Sequence, residues 1–281
     1  MKNAVDVEVE GVDGSIWHLY GHREGEEGVH LGMEPDGLVD SPVRTLWTQT
    51  ASGRGATAAG VRWEPRDLVF TALVGDRPDL NWQVVDSAWR RAWSYEEETI
   101  IRVTTSWSGT RELRCQLFEA PQVGVELDPN VNGFAQVIMT VRAANPFWKS
   151  LPEQQTVEAS GSSPKYVVMD NPTDTPCFAK WVSTAGSRWT IPDFDFKGSY
   201  RTITLPSVFT GSNVVVDTDP LEETITISGW PNAWSEMRGV DFLNHVPPHT
   251  PPTNVQVSFS GLGGTLTLVL ERMWTRPWGL E

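Results

Sequence analysis

Two pairs of histidines stand four residues apart, His18/His22 and His245/His249. On a helix that spacing puts two imidazoles on one face, where they can chelate a metal. Neither pair has that context, because the first straddles the end of an extended run and the second flanks Pro247 and Pro248. Two pairs of carboxylates, Asp193/Asp195 and Asp217/Asp219, lie on turn-like segments. Paired acids cleave glycosides only when a cleft fixes their separation, and Asp beside Pro is ordinary turn chemistry. Asp217 and Asp219 could also face a calcium ion, but two carboxylates make an incomplete oxygen shell. The run Gly53-Arg54-Gly55-Ala56-Thr57-Ala58 fits G-x-G-x-x-[GA], yet no strong strand leads in and no helix follows. Cys115 and Cys177 are far apart and belong to no C-x-x-C, so neither a disulfide framework nor a zinc site is indicated. The chain holds no P-loop, H-E-x-x-H or G-x-S-x-G sequence. These residues assign no catalytic group, no metal ligand and no cofactor.

The elements that would have to position any site are mostly strands. Val5, Val7 and Val9 alternate with Asp6, Glu8 and Glu10, then a Gly11–Gly14 turn leads to a return strand, which reads as a β-hairpin. Further extended runs follow at 43–50, 61–63, 67–74, 100–106 and 113–119, and the glycine-rich stretch 51–60 reads as a flexible loop. One helix is expected over 80–95. Asp79 is placed to cap it, Trp82, Val85, Trp89 and Trp93 share one face, and Arg90 and Arg91 suit its C-terminal dipole. That stripe of tryptophans is expected to pack on a sheet.

The stretch 136–148 organises the chain. Val137, Met139 and Val141 alternate with Ile138, Thr140 and Arg142, and the strand breaks at Asn145-Pro146, since proline has no N–H to donate. Phe147 and Trp148 follow and are expected to pack at a seam between two halves. Residues 151–164 read as a polar linker. Eight short extended runs then recur, at 166–169, 178–182, 188–191, 201–205, 214–217, 224–228, 255–259 and 265–271, which argues for a β-sandwich. Residues 246–252 hold four prolines and read as an irregular crossing loop. Trp274 and Trp278 beside Pro277 imply a tail that docks. The expected fold is therefore mainly β. It has an N-terminal β domain with one α-helix at 1–152, and a C-terminal β-sandwich with an arm at 153–281.

Length and charge agree with two ordinary domains. Of the 281 residues 39% are hydrophobic, and the net charge is −14. Both halves are acidic, so no basic face is indicated for a phosphate backbone, and direct nucleic-acid binding is not expected. The first residues, MKNAVDVEVEG, alternate and are acidic, unlike a signal peptide. No apolar run approaches the ~20 residues of a membrane helix, so membrane insertion is not expected.

Ordered stretches along the chain carry a resemblance. GVHLGMEPDGLVDSPVRT (28–45), RWEPRDLVFTALV (62–74), LNWQVVDSAWRRAWSYEEETIIRV (80–103), VIMTVRAANPFWKS (137–150), VVMDNPTDTPCFAKWV (167–182) and VVVDTDP (214–220) are the carriers. Together they resemble the distal tail proteins, or minor tail proteins, of long, non-contractile-tailed bacteriophages of actinobacteria. The resemblance implies a ring-forming N-terminal domain, a galectin-like β-sandwich, and a non-enzymatic role in the virion at the tail tip, after assembly in the host cytoplasm. It implies a homohexameric ring between the tail tube protein and the tail hub, near the tape measure protein. Trp234, Glu236 and Arg238 echo part of the sugar-contact pattern of galectins, but the strand with alternating His, Asn and Arg is absent, so sugar binding is not carried over. The alternatives are a carbohydrate-binding module of an adsorption structure and a glycosidase using the loop acids. For the ring reading, Val5, Val7 and Val9 are the expected subunit edge, since an unpaired edge strand is a template for another chain.

Overall fold

The computed structural model describes residues 5–281 except 50, 52, 125–127, 199, 207–211 and 262. It divides into two compact units, residues 1–149 with 274–280, and residues 150–273 with 281. The C-terminal segment Trp274–Leu280 thus belongs with the first unit, whereas the sequence reading left the whole arm with the second.

The first unit is built from β1 (Val5–Glu10), β2 (Ile16–Tyr20), β3 (Val29–Leu31), β4 (Val43–Thr48), β5 (Thr57–Trp63), β6 (Arg66–Gly75), α1 (Trp82–Arg91), β7 (Thr99–Thr105), β8 (Gly109–Leu117), β9 (Gln122–Gly124), the short helix α2 (Pro129–Asn132) and β10 (Phe134–Ala143). The chain leaves this unit within β11 (Trp148–Ser150). The main sheet runs β2-β1-β7-β8-β10-β6-β3. Its longest ladder pairs β6 and β10 without interruption from Phe134 opposite Gly75 to Ala143 opposite Arg66. Because side chains alternate across a strand, Leu68, Phe70, Ala72 and Val74 meet Val137, Met139 and Val141 in one core with Val7, Val9, Ile101 and Val103.

α1 closes over that core. Its N-cap is Asn81, whose side chain accepts the Val84 N–H at 3.1 Å, not Asp79 as the sequence suggested. The helix is also shorter than the expected 80–95. Val85, Trp89 and Trp93 are buried and Trp82 is half-buried. Trp89 stands edge-on to both Trp17 (5.3 Å) and Trp93 (5.2 Å), the favoured arrangement of aromatic quadrupoles. The tryptophan stripe is core.

The second unit contains β12 (Glu153–Glu158), β13 (Lys165–Asn171), β14 (Ala179–Thr184), β15 (Ser187–Phe194), β16 (Tyr200–Thr204), β17 (Asn213–Asp217), β18 (Ile225–Ile227), β19 (Thr250–Gly261) and β20 (Thr265–Leu270), and the chain returns to the first unit within β21 (Met273–Trp274). Two sheets, β12-β20-β14-β17-β18 and β13-β19-β15-β16, enclose a core that includes Trp181, Trp189, Ile191 and Leu268. All eight anticipated runs are strands.

Two stretches expected to be irregular are strands as well. The polar stretch at 151–164 contains β12, a sheet-edge strand paired with β20. β19 begins before the prolines at 251 and 252 although it lies between β13 and β15. Pairing with β15 starts only at Ser258, and the ladder with β13 shifts register between Met169 and Asn171, opposite the prolines. Their missing N–H groups are therefore not needed.

Replacing Trp89 with Ala is expected to lower unfolding stability by about 3–5 kcal/mol, the range for emptying a buried aromatic site, measured by chemical denaturation. Arg66, fully buried, donates to the carbonyls of Pro146 (2.8 Å), Gly37 (2.9 Å), Leu38 (3.0 Å) and Thr275 (2.8 Å). Arg66→Ala strands these acceptors and is expected to cost about 3 kcal/mol or more in the same measurement.

Candidate functional site

The groups singled out for chemistry are occupied by the fold. The His18 imidazole lies between Glu27 (Nδ1 to Oε1, 2.9 Å) and Arg23 (Nε2 to Nη1, 2.9 Å). The guanidinium can only donate, so Nε2 accepts and Nδ1 carries the proton. His18, Glu26 and Glu27 are close enough to share a cation, but Arg23 already fills the position, bonding Glu26 through Nε at 2.9 Å. His22 contributes its backbone N–H to Asp6 at 2.7 Å. His245 packs on Phe178, and burial lowers its pKa. His249 lies in the left-handed region.

The acids are structural too. Asp193 is buried, pairs with Arg201 (3.2 Å) and accepts the N–H groups of Leu243 and Asn244. Asp195 accepts the Lys197 N–H. Asp217 binds Lys180 Nζ at 3.0 Å and caps the turn at Asp219, which in turn accepts the Leu221 N–H. Burial pushes the Cys177 thiol up to about 12 and raises that of Cys115 as well, so both are inert. The run at 53–58 leads into β5 and no helix follows. Trp234, Glu236 and Arg238 are exposed on and just after a 3-10 helix, Ala233–Met237.

The expected subunit edge is corrected. β1 is paired on both sides, with β2 and β7, and Val7 and Val9 are core residues. Val5 is half-buried and packs against the same core. With both rows of ladder groups in use, β1 has no free edge for a second chain. Trp148 is buried in the first unit's core, and Phe147 packs edge-on against Trp63 at 5.0 Å.

The surface that stands apart is the β4–β5 ribbon. Every described residue from 43 to 63 is exposed, and the two strands form a separate two-stranded sheet. Arg44 faces Arg62 across the ladder, and Leu46 follows on the same face. The other face carries Val43, Trp63, Thr45 and Val61, joined by Trp47, whose indole donates to Thr45 Oγ1 at 3.0 Å and is 61% exposed. An isolated hairpin is at best marginally stable in water, and large exposed apolar patches mark interaction sites. Sequence reasoning placed a strand at β4 but made 51–60 a loop, so this ribbon was missed.

No family model matches the chain. It is 28% identical to the minor tail proteins Gp27 of Mycobacterium phages D29 and L5, over 98% of its own length and 98% of theirs. The chain is a relative of phage minor tail proteins. Among solved structures, it shares the fold of the Dit (gp 19.1) protein of phage SPP1, described as a paradigm of the hub adsorption apparatus in phages infecting Gram-positive hosts. That match has a TM-score of 0.62 at 12% identity and covers 95% of this chain and 98% of that one. A chain of the phage P2 baseplate in its activated conformation with Ca matches with a TM-score of 0.52 at 12% identity, over 97% and 98% of the two chains. The mainly β architecture agrees with both.

The ribbon is expected to be dispensable for folding. Replacing residues 44–62 with an Asn-Gly turn should change unfolding stability by no more than about 0.5 kcal/mol, as for changes remote from the core, in denaturant titration.

Proposed function

We propose that this chain is a non-enzymatic structural subunit of a phage tail tip, in which six copies close a ring through the first unit. The ring would join the tail tube protein to the tail hub of the adsorption apparatus, near the tape measure protein, in the virion. Whole-length similarity to minor tail proteins and the fold shared with a Dit hub protein support this reading. The observation that carries it is the β4–β5 ribbon, an arm whose apolar face is packed at its base, where Trp63 meets Phe147, and is exposed beyond it at Val43, Val61 and Trp47. An arm that reaches only the next copy makes a heterologous contact, and heterologous contacts close into rings when the rotation per copy permits.

A second reading gives the second unit a carbohydrate to bind. It is favoured by one observation, Trp234 standing 62% exposed on its 3-10 helix, since exposed aromatic faces stack on sugar rings.

Electron microscopy of assembled particles separates the two. Six-fold density for this chain at the tail tip is expected, and the variant lacking 44–62 is expected to fold but to fail to enter tails. Isolated copies on the capsid or on fibres would rule out the ring and leave the carbohydrate reading ahead.

A further inference from the structure

The His18 imidazole is held from two sides by groups of opposite charge. Its Nδ1–H donates to Glu27 Oε1 at 2.9 Å, and its Nε2 accepts from Arg23 Nη1 at 2.9 Å. This arrangement exists only while the ring is neutral. A proton on Nε2 turns the acceptor into a donor and sets two cations in contact. The Glu27 contact responds in the opposite sense, since a charged donor strengthens its bond to a carboxylate. Protonation therefore tightens one side of the ring and expels the other.

Both partners come from the segment between β2 and β3, residues 21–28. Glu27 is anchored twice, because its Oε2 also accepts the His18 backbone N–H at 2.8 Å. Arg23 reaches β2 through the imidazole, and its Nε holds Glu26 at 2.9 Å. The Arg23 and Glu26 side chains are 54% and 48% exposed, so the pair can move into water without stranding a buried charge. The other charged groups around the ring are engaged elsewhere. Glu8 lies opposite His18 on the ladder and meets Arg102 at 3.4 Å, and Asp6 accepts the His22 N–H. His30 bonds Glu24 through Nδ1 at 3.1 Å, a contact that protonation strengthens. A groove of about 290 Å³ beside the ring is lined by Arg23 together with Asp6, Glu8, Tyr20 and His22.

We propose that His18 is a pH-sensitive latch on the segment joining β2 to β3. Neutral, it holds Arg23 and, through it, Glu26. Protonated, it releases that pair and keeps Glu27, so the segment loosens at its start and stays fixed at its end. The groove then exchanges a mobile guanidinium for a fixed imidazolium. Histidine changes charge between neutral and mildly acidic pH, so the latch opens on acidification. It is a property of the free subunit and does not depend on the ring reading.

The test is amide hydrogen exchange of the full chain, read over residues 21–26, where the Glu24 and Glu26 N–H groups donate to the carbonyls of Gly21 and Arg23. Wild type and His18→Gln are compared at the same pH, which cancels the intrinsic pH dependence of exchange. Glutamine keeps a donor for Glu27 and an acceptor for Arg23 but does not protonate. The two are expected to exchange alike at about pH 8, and the wild type at least ~10-fold faster at about pH 5.5. Arg23→Gln, at an exposed side chain, removes the cation that the proton would meet and is expected to abolish the acid-induced difference. In the unsubstituted chain, nitrogen NMR of the histidine rings is expected to show His18 Nε2 gaining its proton over the same pH span in which protection at 21–26 falls. Equal exchange of wild type and His18→Gln in acid would overturn the latch. So would a difference of the same size at about pH 8, which assigns it to the lost ring instead of the proton. An acid-induced difference that survives Arg23→Gln, or a His18 midpoint apart from the loss of protection, would overturn it as well.

Discussion

The first unit depends on a buried cation bound by main-chain carbonyls. The Arg66 guanidinium is fully enclosed, and its hydrogen-bond acceptors are the carbonyls of the Gly37–Val39 loop, Pro146 and Thr275, with the Ser41 hydroxyl. Burial lowers its pKa to about 10. Taking the charge out of water costs desolvation free energy, and the hydrogen bonds it donates favour the charged form and offset that cost. The charge is tolerated because it satisfies carbonyls of irregular segments that have no ladder of their own, and buried backbone acceptors left unpaired would cost more. Lysine could not substitute, because the planar fork addresses several acceptors at once. Gly37, at φ +73°, completes the arrangement, since a side chain there would overlap the Asp67 carbonyl. Arg111 repeats the device, lying 3.7 Å over the Trp274 ring and donating to the carbonyls of Arg276 and Gly279. Two arginines thus hold the C-terminal segment against the first unit.

The position of this cage matters for the ribbon. Ser41 lies just before β4 and Arg66 just after β5, so the cage grips both strands of the stem. Glu64 N–H donates to the Pro42 carbonyl, and Trp63 packs on Phe147. A two-stranded ribbon with no buried face draws no rigidity from burial along its length. Its direction is set at the base, by the same buried cation that closes the core. Loss of Arg66 therefore acts on stability and on the aim of the arm together.

Legibility of the sequence followed burial. Strands with one buried face alternate strictly, as β1 and β10 do, and they were readable, as were the eight runs of the second unit. β12, Glu-Gln-Gln-Thr-Val-Glu, is a polar edge strand and gave no such pattern. β5 opens with Thr-Ala-Ala-Gly and is exposed on both faces, so no selection for alternation operates on it. The candidate site was hidden for the same reason that makes it a site. The free edge expected at Val5–Val9 failed for a related reason, since alternation reveals a buried face and says nothing about which neighbours a strand has. Arg66 sits in Glu-Pro-Arg-Asp, which reads as a charged turn, because acceptors supplied by backbone carbonyls leave no mark in the sequence.

The separation of charge within the chain bears on how copies could associate. At −14, free subunits repel one another, which favours solubility. That repulsion acts across many ångströms of water and is screened beyond roughly 8 Å at physiological ionic strength. Arginine–carboxylate contacts at about 4 Å are worth several times more per pair near a protein surface than in bulk water. Salt at physiological strength therefore weakens the long-range opposition more than the close contacts. The ribbon, residues 43–63, holds three arginines and no acid. A basic arm on an acidic body also limits unproductive pairing, since body meets body with like charge and arm meets arm with like charge. Only arm against body is attractive. Repeated in one direction from copy to copy, that combination is heterologous, the symmetry a ring requires.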